Sequence, residues 1–412
     1  MKADIDALMQ ARQLDAILVT GPGDHNPALV YLTGGAHLTH ADLIKLRGAE
    51  PVLYYHLMER DEAASTGLAT RCLDQYPVHE LVEEMDGDLL AATAARYAWI
   101  FTELGLTSGR VALFGQMDAG AAYGIFSALQ AALPELVLVG EIGDSLLMEA
   151  MATKDAVEVE RIRRMGHVTV EVVGQVAEFL TSHHVLDQFL VKADGRPLTV
   201  GEVKHRINFW LAERGAENPE GTIFAIGRAA GIPHSAGLPT DLLRLGQTIV
   251  FDIFPCEASG GYYYDFTRTW CLGYASDETQ ALYEDVLAVY HQLRSELRPG
   301  MACPHYQLRA CELFEARGHP TICSNPQTQE GYVHGLGHGL GLHVHQRPWF
   351  RTWLGEGSRL EPGVVVTLEP GLYYPERGMG VRLEDTLWVR PDGQIEVLVE
   401  YPMELVLPMA KA

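Results

Sequence analysis

From the N-terminus to about residue 150, short apolar runs alternate with longer stretches of helical periodicity. DAILVTG, PVLYYHL, RVALFG and ELVLVGE have the length and branched content of buried strands. LLAATAARYAWIFTEL and AGAAYGIFSALQAAL carry apolar residues at helical spacing between them. This order predicts a small α/β domain, and nothing in it gathers catalytic residue types. Residues 119–133, the most apolar long stretch, include Ser127 and Gln130 and stop at Pro134; they predict a core helix rather than a membrane span. Near residue 153 the texture changes. In TKDAVEVERIRRMGHVTVEVVGQVAEFL, Asp155 and Glu158 stand at capping-box spacing ahead of a long amphipathic helix. A domain boundary is expected just before it, giving domains of residues 1–152 and 153–412.

The second domain repeats one order of features. EVKHRINFWLAERG is followed by an irregular stretch holding His234, then LGQTIVFDIF, then GYYYDFTRTW. YQLRACELFEARG is followed by a histidine-rich stretch, then PGVVVTLEPG, then MGVRLEDTLW. In both, a helical segment ends on Arg-Gly, and a glycine (Gly246, Gly363) precedes an acid (Asp252, Glu369) by six residues. A second acid follows in each (Asp265, Glu384), trailed by Thr and Trp. The pattern predicts a duplicated α/β unit whose halves face each other about a pseudo-twofold axis.

In an antiparallel hairpin, opposed residues share a constant sum of positions. Asp252 and Asp265 would centre a turn on Ala258 and Ser259, within CEASGG; Glu369 and Glu384 would centre one on Glu376 and Arg377, within PERG. Each pair would then oppose on one hairpin face, with Cβ atoms about 5 Å apart. The flanking TIVF and VVVTL are residues of buried strands, where carboxylates are costly unless neutralised. Arg268 and Arg382 lie close in sequence and offer the simplest neutralisation, yet two arginines cannot balance four converging carboxylates.

Composition narrows the chemistry. A hydrophobic share of 47% and a charged share of 21% are those of an ordinary globular enzyme. A net charge of −23 argues against nucleic acid, whose phosphates demand a basic face. The N-terminal run MKADIDALMQARQLDAILV is interrupted by acids and predicts no signal peptide; a cytosolic protein without membrane attachment is expected. Six cysteines with no CxxC pair and no zinc-ribbon spacing predict buried free thiols, a Cys256–Cys271 bridge being the lesser alternative.

The remaining signal is HGLGHGLGLHVH, residues 334–345, with four histidines and four glycines. Histidine is a common metal ligand, and glycine permits close backbone approach. One imidazole added to the four acids makes five hard or borderline donors, and four negative charges suit two divalent cations. A dinuclear metal site is therefore expected. No HExxH, GxSxG or phosphate-binding loop competes with it.

These residues resemble the pita-bread metallopeptidases, a family that includes methionine aminopeptidase, aminopeptidase P, prolidase and the metal-free creatinase. The family's ligand order Asp, Asp, His, Glu, Glu is met in FDIF, YYDFTRTW, HGLGHGLG, TLEPG and VRLEDT. The resemblance implies a pita-bread catalytic domain and a small mixed-sheet N-terminal domain like that of prolidases, aminopeptidases P and creatinases. It implies metal ligands Asp252, Asp265, His338, Glu369 and Glu384, with Asp265 and Glu384 bridging. It implies that His345 contacts the substrate carbonyl or tetrahedral intermediate, that His334 lines the pocket beyond the scissile bond, and that His234 reaches the same site from the other half. His343 matches nothing and is expected to be structural or solvent-facing.

By the same resemblance the expected reaction is hydrolysis of Xaa-Pro bonds in proline-containing peptides with two divalent metals, most often manganese, with cobalt or zinc as substitutes. Glu369 would shuttle the proton, and Arg382 beside His334 would meet the free carboxylate of a dipeptide. A homodimer is implied, in which a neighbour's loop such as GPGDHNP (Asp24, His25, Asn26) narrows the pocket. The sequence departs from the family pattern at the first hairpin, where the two aspartates are two residues further apart and Phe254-Pro255 replaces a usual glycine. That departure bears on substrate identity. Rival readings are a creatinase-like hydrolase and a metal-dependent lyase of small sulfonium acids.

Overall fold

The computed structural model describes residues 2–351 and 357–409. It divides into two compact units: Met1–Met151 with Ser259–Gly261, and Ala152–Ala258 with Tyr262–Ala412.

The first unit is built on a six-stranded mixed sheet in the order Ala69–Cys72, Val52–Tyr55, Ala41–Leu46, Ala16–Gly21, Gly109–Gly115, Leu136–Val139. Ala16–Gly21 runs parallel to Gly109–Gly115 and antiparallel to Ala41–Leu46. All four strands expected from sequence are present, and so are the helices Leu89–Glu103 and Ala119–Ala132. Ala41–Leu46 was hidden by two charges in its middle. Each has a partner: the Tyr97 hydroxyl donates to Oδ1 of buried Asp42 (2.8 Å), and Lys45 donates to Asp6 (2.8 Å). The expectation of a core helix at 119–133 is corrected. Only Leu129 of Ala119–Ala132 is buried, and Tyr123 is 80% exposed. The run owes its apolarity to Ala and Gly, which add little side chain to a core.

The second unit opens with the helix Ala156–Thr181. Its capping box is complete: Asp155 accepts from the N–H groups of Val157 and Glu158, and Glu158 accepts from that of Asp155. Two arrays follow. The first places Thr248–Ile253 antiparallel between Thr222–Ile226 and Phe266–Leu272, with Val406–Leu407 added parallel at the far edge. The second orders Gln346–Trp349, His338–Gly339, Val365–Leu368, Asp385–Val389 and Ile395–Val397. Each array is preceded by a helix that ends as expected, with Gly215 after Val200–Glu213 and Gly318 after Cys303–Glu315, both at positive φ.

The expectation that all six cysteines are free is corrected. Cys311 and Cys323 form a disulfide across 12 positions, while Cys72, Cys256, Cys271 and Cys303 remain free. After the helix the chain folds back, with the His319 N–H donating to the Phe314 carbonyl, and this brings the two Cα atoms to 6.2 Å, within bridging range. Among the described residues no helix is long and apolar enough to cross a membrane.

Candidate metal centre

The two hairpins that carry the acids are joined edge to edge. Asp252 pairs with Thr267 across the first. Thr267 bridges to Glu384 of the second, its carbonyl accepting the Glu384 N–H at 3.1 Å. In the second hairpin Leu368 pairs with Asp385 and Gly371 with Arg382, which sets Glu369 opposite Glu384. Asp252, Thr267, Glu384 and Glu369 thus stand in one row across four strands, and Asp265 lies two residues from Thr267 on the same face.

The second hairpin has the register expected from its turn, a short helical turn at Pro375–Arg377 closed by Gly378 in the left-handed region. The first does not. Its tip is centred on Ser259 and Gly260, with φ of +66° and +75°, one residue later than expected. Positive φ at both central positions matches the twist of the flanking strands. Asp265 therefore lies diagonal to Asp252 rather than opposite, and a slip of two keeps it on the same face.

The histidine-rich segment is laid against this row. Leu336 accepts the Glu369 N–H at 2.9 Å, and the His338 N–H donates to Thr367 Oγ1 at 3.1 Å. Its glycines permit the approach: a Cβ on Gly337 would stand 2.2 Å from the Thr367 carbonyl oxygen, and one on Gly339 1.8 Å from that of Arg347. His338 Nδ1 lies 3.1 Å from the Gly339 carbonyl and donates to it, which turns the Nε2 lone pair towards Glu369 (3.4 Å) and Asp265 (3.6 Å). Burial, with His345 beside it, lowers the His338 pKa to about 3, so the imidazole is neutral and fit to ligate.

Arg268 and Arg382 neutralise little of the cluster. Arg268 is occupied with Asp385 (2.8 Å) and with the carbonyls of Thr267, Glu384, Tyr401 and Pro402. Arg382 is an ion-pair partner of Asp252, donates to Tyr373 Oη (2.7 Å) and the Pro233 carbonyl (3.2 Å), and reaches Thr267 Oγ1 (3.3 Å). Four acids converge on one guanidinium. Burial and mutual repulsion push Asp265 and Glu384 well above the usual carboxylate range, and burial raises Glu369 to about 8. Asp252 Oδ1 and Asp265 Oδ1 are buried without a hydrogen-bond partner. Donor atoms of Asp265, His338 and Glu384 lie within 4.8 Å of one another. An array of buried, repelling oxygens with one neutral imidazole fits divalent cations.

A model of metallopeptidase family M24 matches residues 160–391, and one of the creatinase/prolidase N-terminal domain matches residues 3–146. The chain belongs to metallopeptidase family M24. Similar proteins include a putative dipeptidase of Bacillus subtilis, 29% identical over 281 residues that cover 62% of this chain and 71% of that one. The Xaa-Pro dipeptidase of Pyrococcus furiosus is 31% identical over 193 residues, 47% of this chain and 51% of that one. The fold of this M24 peptidase is shared with a dipeptidase from Pyrococcus horikoshii (TM-score 0.73, 23% identity, 98% and 99% of the two chains). It is shared equally with an X-Pro aminopeptidase from Thermotoga maritima (TM-score 0.74, 20% identity, 97% and 99%). The α/β pita-bread class expected from the motifs is the one found.

The nine catalytic, substrate and metal residues expected from the sequence fall at one place. A cavity of about 490 Å³ is lined by Asp252, Asp265, His338, Glu369 and Glu384, and also by His234, His334, His345 and Arg382. The His345 ring lies 4.3 Å from that of His338. His334 Nδ1 donates to the Gly335 carbonyl (2.7 Å), so its Nε2 accepts from Tyr373 Oη (2.9 Å). His343 does not line the cavity, in keeping with a structural role. Sequence reasoning missed Thr267, whose hydroxyl donates to Glu384 (2.6 Å), and Thr367 beside Glu369. The signal was there: each threonine stands two residues from an acid, the period of a strand face. Lys204, Glu220 and Arg351 also line the cavity and carried no local signal.

Proposed function

We propose that this protein hydrolyses Xaa-Pro peptide bonds as a dipeptidase, using two divalent cations, manganese first among them. The reading is carried by the convergence of four carboxylates and a neutral histidine on one cavity, with Arg382 ion-paired to one of them, Asp252. Asp252, Asp265, His338, Glu369 and Glu384 would hold the metals, which supply Lewis acidity and a water of lowered pKa. Glu369 would take a proton from the attacking water and return it to the leaving nitrogen. His345 donates to the developing oxyanion, His234 steadies the carbonyl from the other half, and His334 lines the pocket for proline.

Arg382 is reassigned. With its donors on Asp252, Tyr373, Thr267 and Pro233 it holds the acids in place and has no free fork for a substrate carboxylate. Arg351 and Lys204, in the cavity wall, are the candidate cations among the described residues to meet that end of a dipeptide. The Xaa-Pro dipeptidase name of the Pyrococcus furiosus relative supports the dipeptide over a longer peptide. A homodimer is proposed with it.

The deciding assay compares Ala-Pro, Ala-Pro-Ala and Ala-Ala under manganese, with metal content measured on the same sample. The expected result is about two metals per chain and preference for Ala-Pro, both lost in Asp265→Asn. Preference for the tripeptide makes the protein an aminopeptidase. Indifference to proline removes the Xaa-Pro assignment.

A further inference from the structure

One carboxylate in the cavity wall, Glu220, is no part of the acidic row. It precedes the strand Thr222–Ile226, whose Ile223 pairs with Asp252, so at most roughly 10 Å of backbone separates it from that row. Glu220 and Thr222, two residues apart, both line the cavity, with Gly221 between them at φ +81°. Glu220 is exposed and makes no hydrogen bond or ion pair among the described residues. Lys204 stands in the same wall and makes no ion pair with it among the described residues. Glu220 is instead felt by His345, whose pKa it pulls upward against the larger effect of burial.

An unpaired anion at that distance has a defined use. A substrate whose scissile carbonyl lies at the acidic row carries its α-amine within two bonds of that carbonyl, held beside the row itself. The side chain of the residue before the scissile bond points outward from the same carbon. A lysine or arginine places its cation roughly 6 Å or more from Cα, by standard bond lengths. We propose that Glu220 makes the subsite for the residue preceding the scissile bond select lysine or arginine. This rests on the Xaa-Pro reading of the site.

The test measures kcat/KM for Arg-Pro and Leu-Pro with the wild type and with Glu220→Gln, under manganese at low salt. The expected wild-type ratio favours Arg-Pro by about fivefold, the worth of a well-placed exposed ion pair, and lies mainly in KM. In Glu220→Gln the ratio falls to about one; in Glu220→Lys, Glu-Pro overtakes Arg-Pro. A ratio unchanged by both substitutions overturns the proposal. Calorimetric titration with arginine amide and leucine amide reads the same subsite without turnover. Tighter arginine amide binding that disappears in Glu220→Gln supports the subsite even if no Xaa-Pro peptide is cleaved, a result that would sink the reaction alone. Equal affinities for the two amides overturn it.

Discussion

At the scale of single residues, hydrogen-bond direction decides the roles in the histidine-rich segment. His338 and His334 each turn Nδ1 to a following backbone carbonyl and present Nε2 inward, to the acids in one case and to Tyr373 in the other. His345 packs on His338 at the cavity, while the backbone N–H of His343 faces Gln346 Oε1 (3.4 Å) and its ring stays out of the cavity wall. These two histidines, two residues apart, therefore make a controlled pair. His345→Ala is expected to lower kcat by roughly 10²-fold, the scale of one lost oxyanion donor, at unchanged metal stoichiometry. His343→Ala is expected to change kcat less than threefold, with cost confined to stability. Comparable losses at both positions in steady-state kinetics would mean that the face meeting substrate is misassigned.

At the scale of elements, the site is held by crossings rather than by any one strand. Helix Cys303–Glu315 carries Gln307, whose amide receives Tyr332 Oη (3.1 Å) and the Leu336 N–H (2.6 Å) and donates to the His334 carbonyl (3.3 Å). One turn further along the same helix, Cys311 binds Cys323, in the loop that returns to Tyr332 through the Thr321–Tyr332 bridge. The disulfide and Gln307 therefore tie the entrance of the histidine segment to one helix. Thiol titration in denaturant is expected to count four thiols without reductant and six with it. Cys323→Ser is expected to lower the thermal midpoint, the loop-closure account giving at most about 3 kcal/mol for a loop of this length. Six thiols without reductant would remove the bridge.

At the scale of the whole molecule, metal and fold are coupled. Four acids beside one guanidinium, three of them buried, repel in the absence of cations, so ligands that bind only the folded chain contribute their binding energy to stability. Chelation is expected to lower the calorimetric unfolding temperature and manganese to restore it. A hundredfold excess over the dissociation constant corresponds to about 2.7 kcal/mol. Identical melting curves with chelator and with manganese would count against a metal centre built from these residues.

What the sequence determined by itself was whatever depends on local period and order. Strand and helix segments, the capping box at Asp155 and Glu158, the Arg-Gly helix ends and the face on which each acid lies all follow from spacings of two to four residues. A register slip of two in the first hairpin left that last inference intact, because a strand face repeats every second residue. Tertiary structure alone decided which partners meet across long separations. It paired Arg382 with Asp252 across 130 residues and gave Arg268 to Asp385, so the number of nearby arginines could not reveal which carboxylates remain unbalanced. It chose Cys311–Cys323 from the pairings six cysteines allow, and it left Glu220 unpaired in a cavity wall. Charge and thiol partners are set by where the backbone brings distant segments together, and no periodicity in one chain encodes that distance.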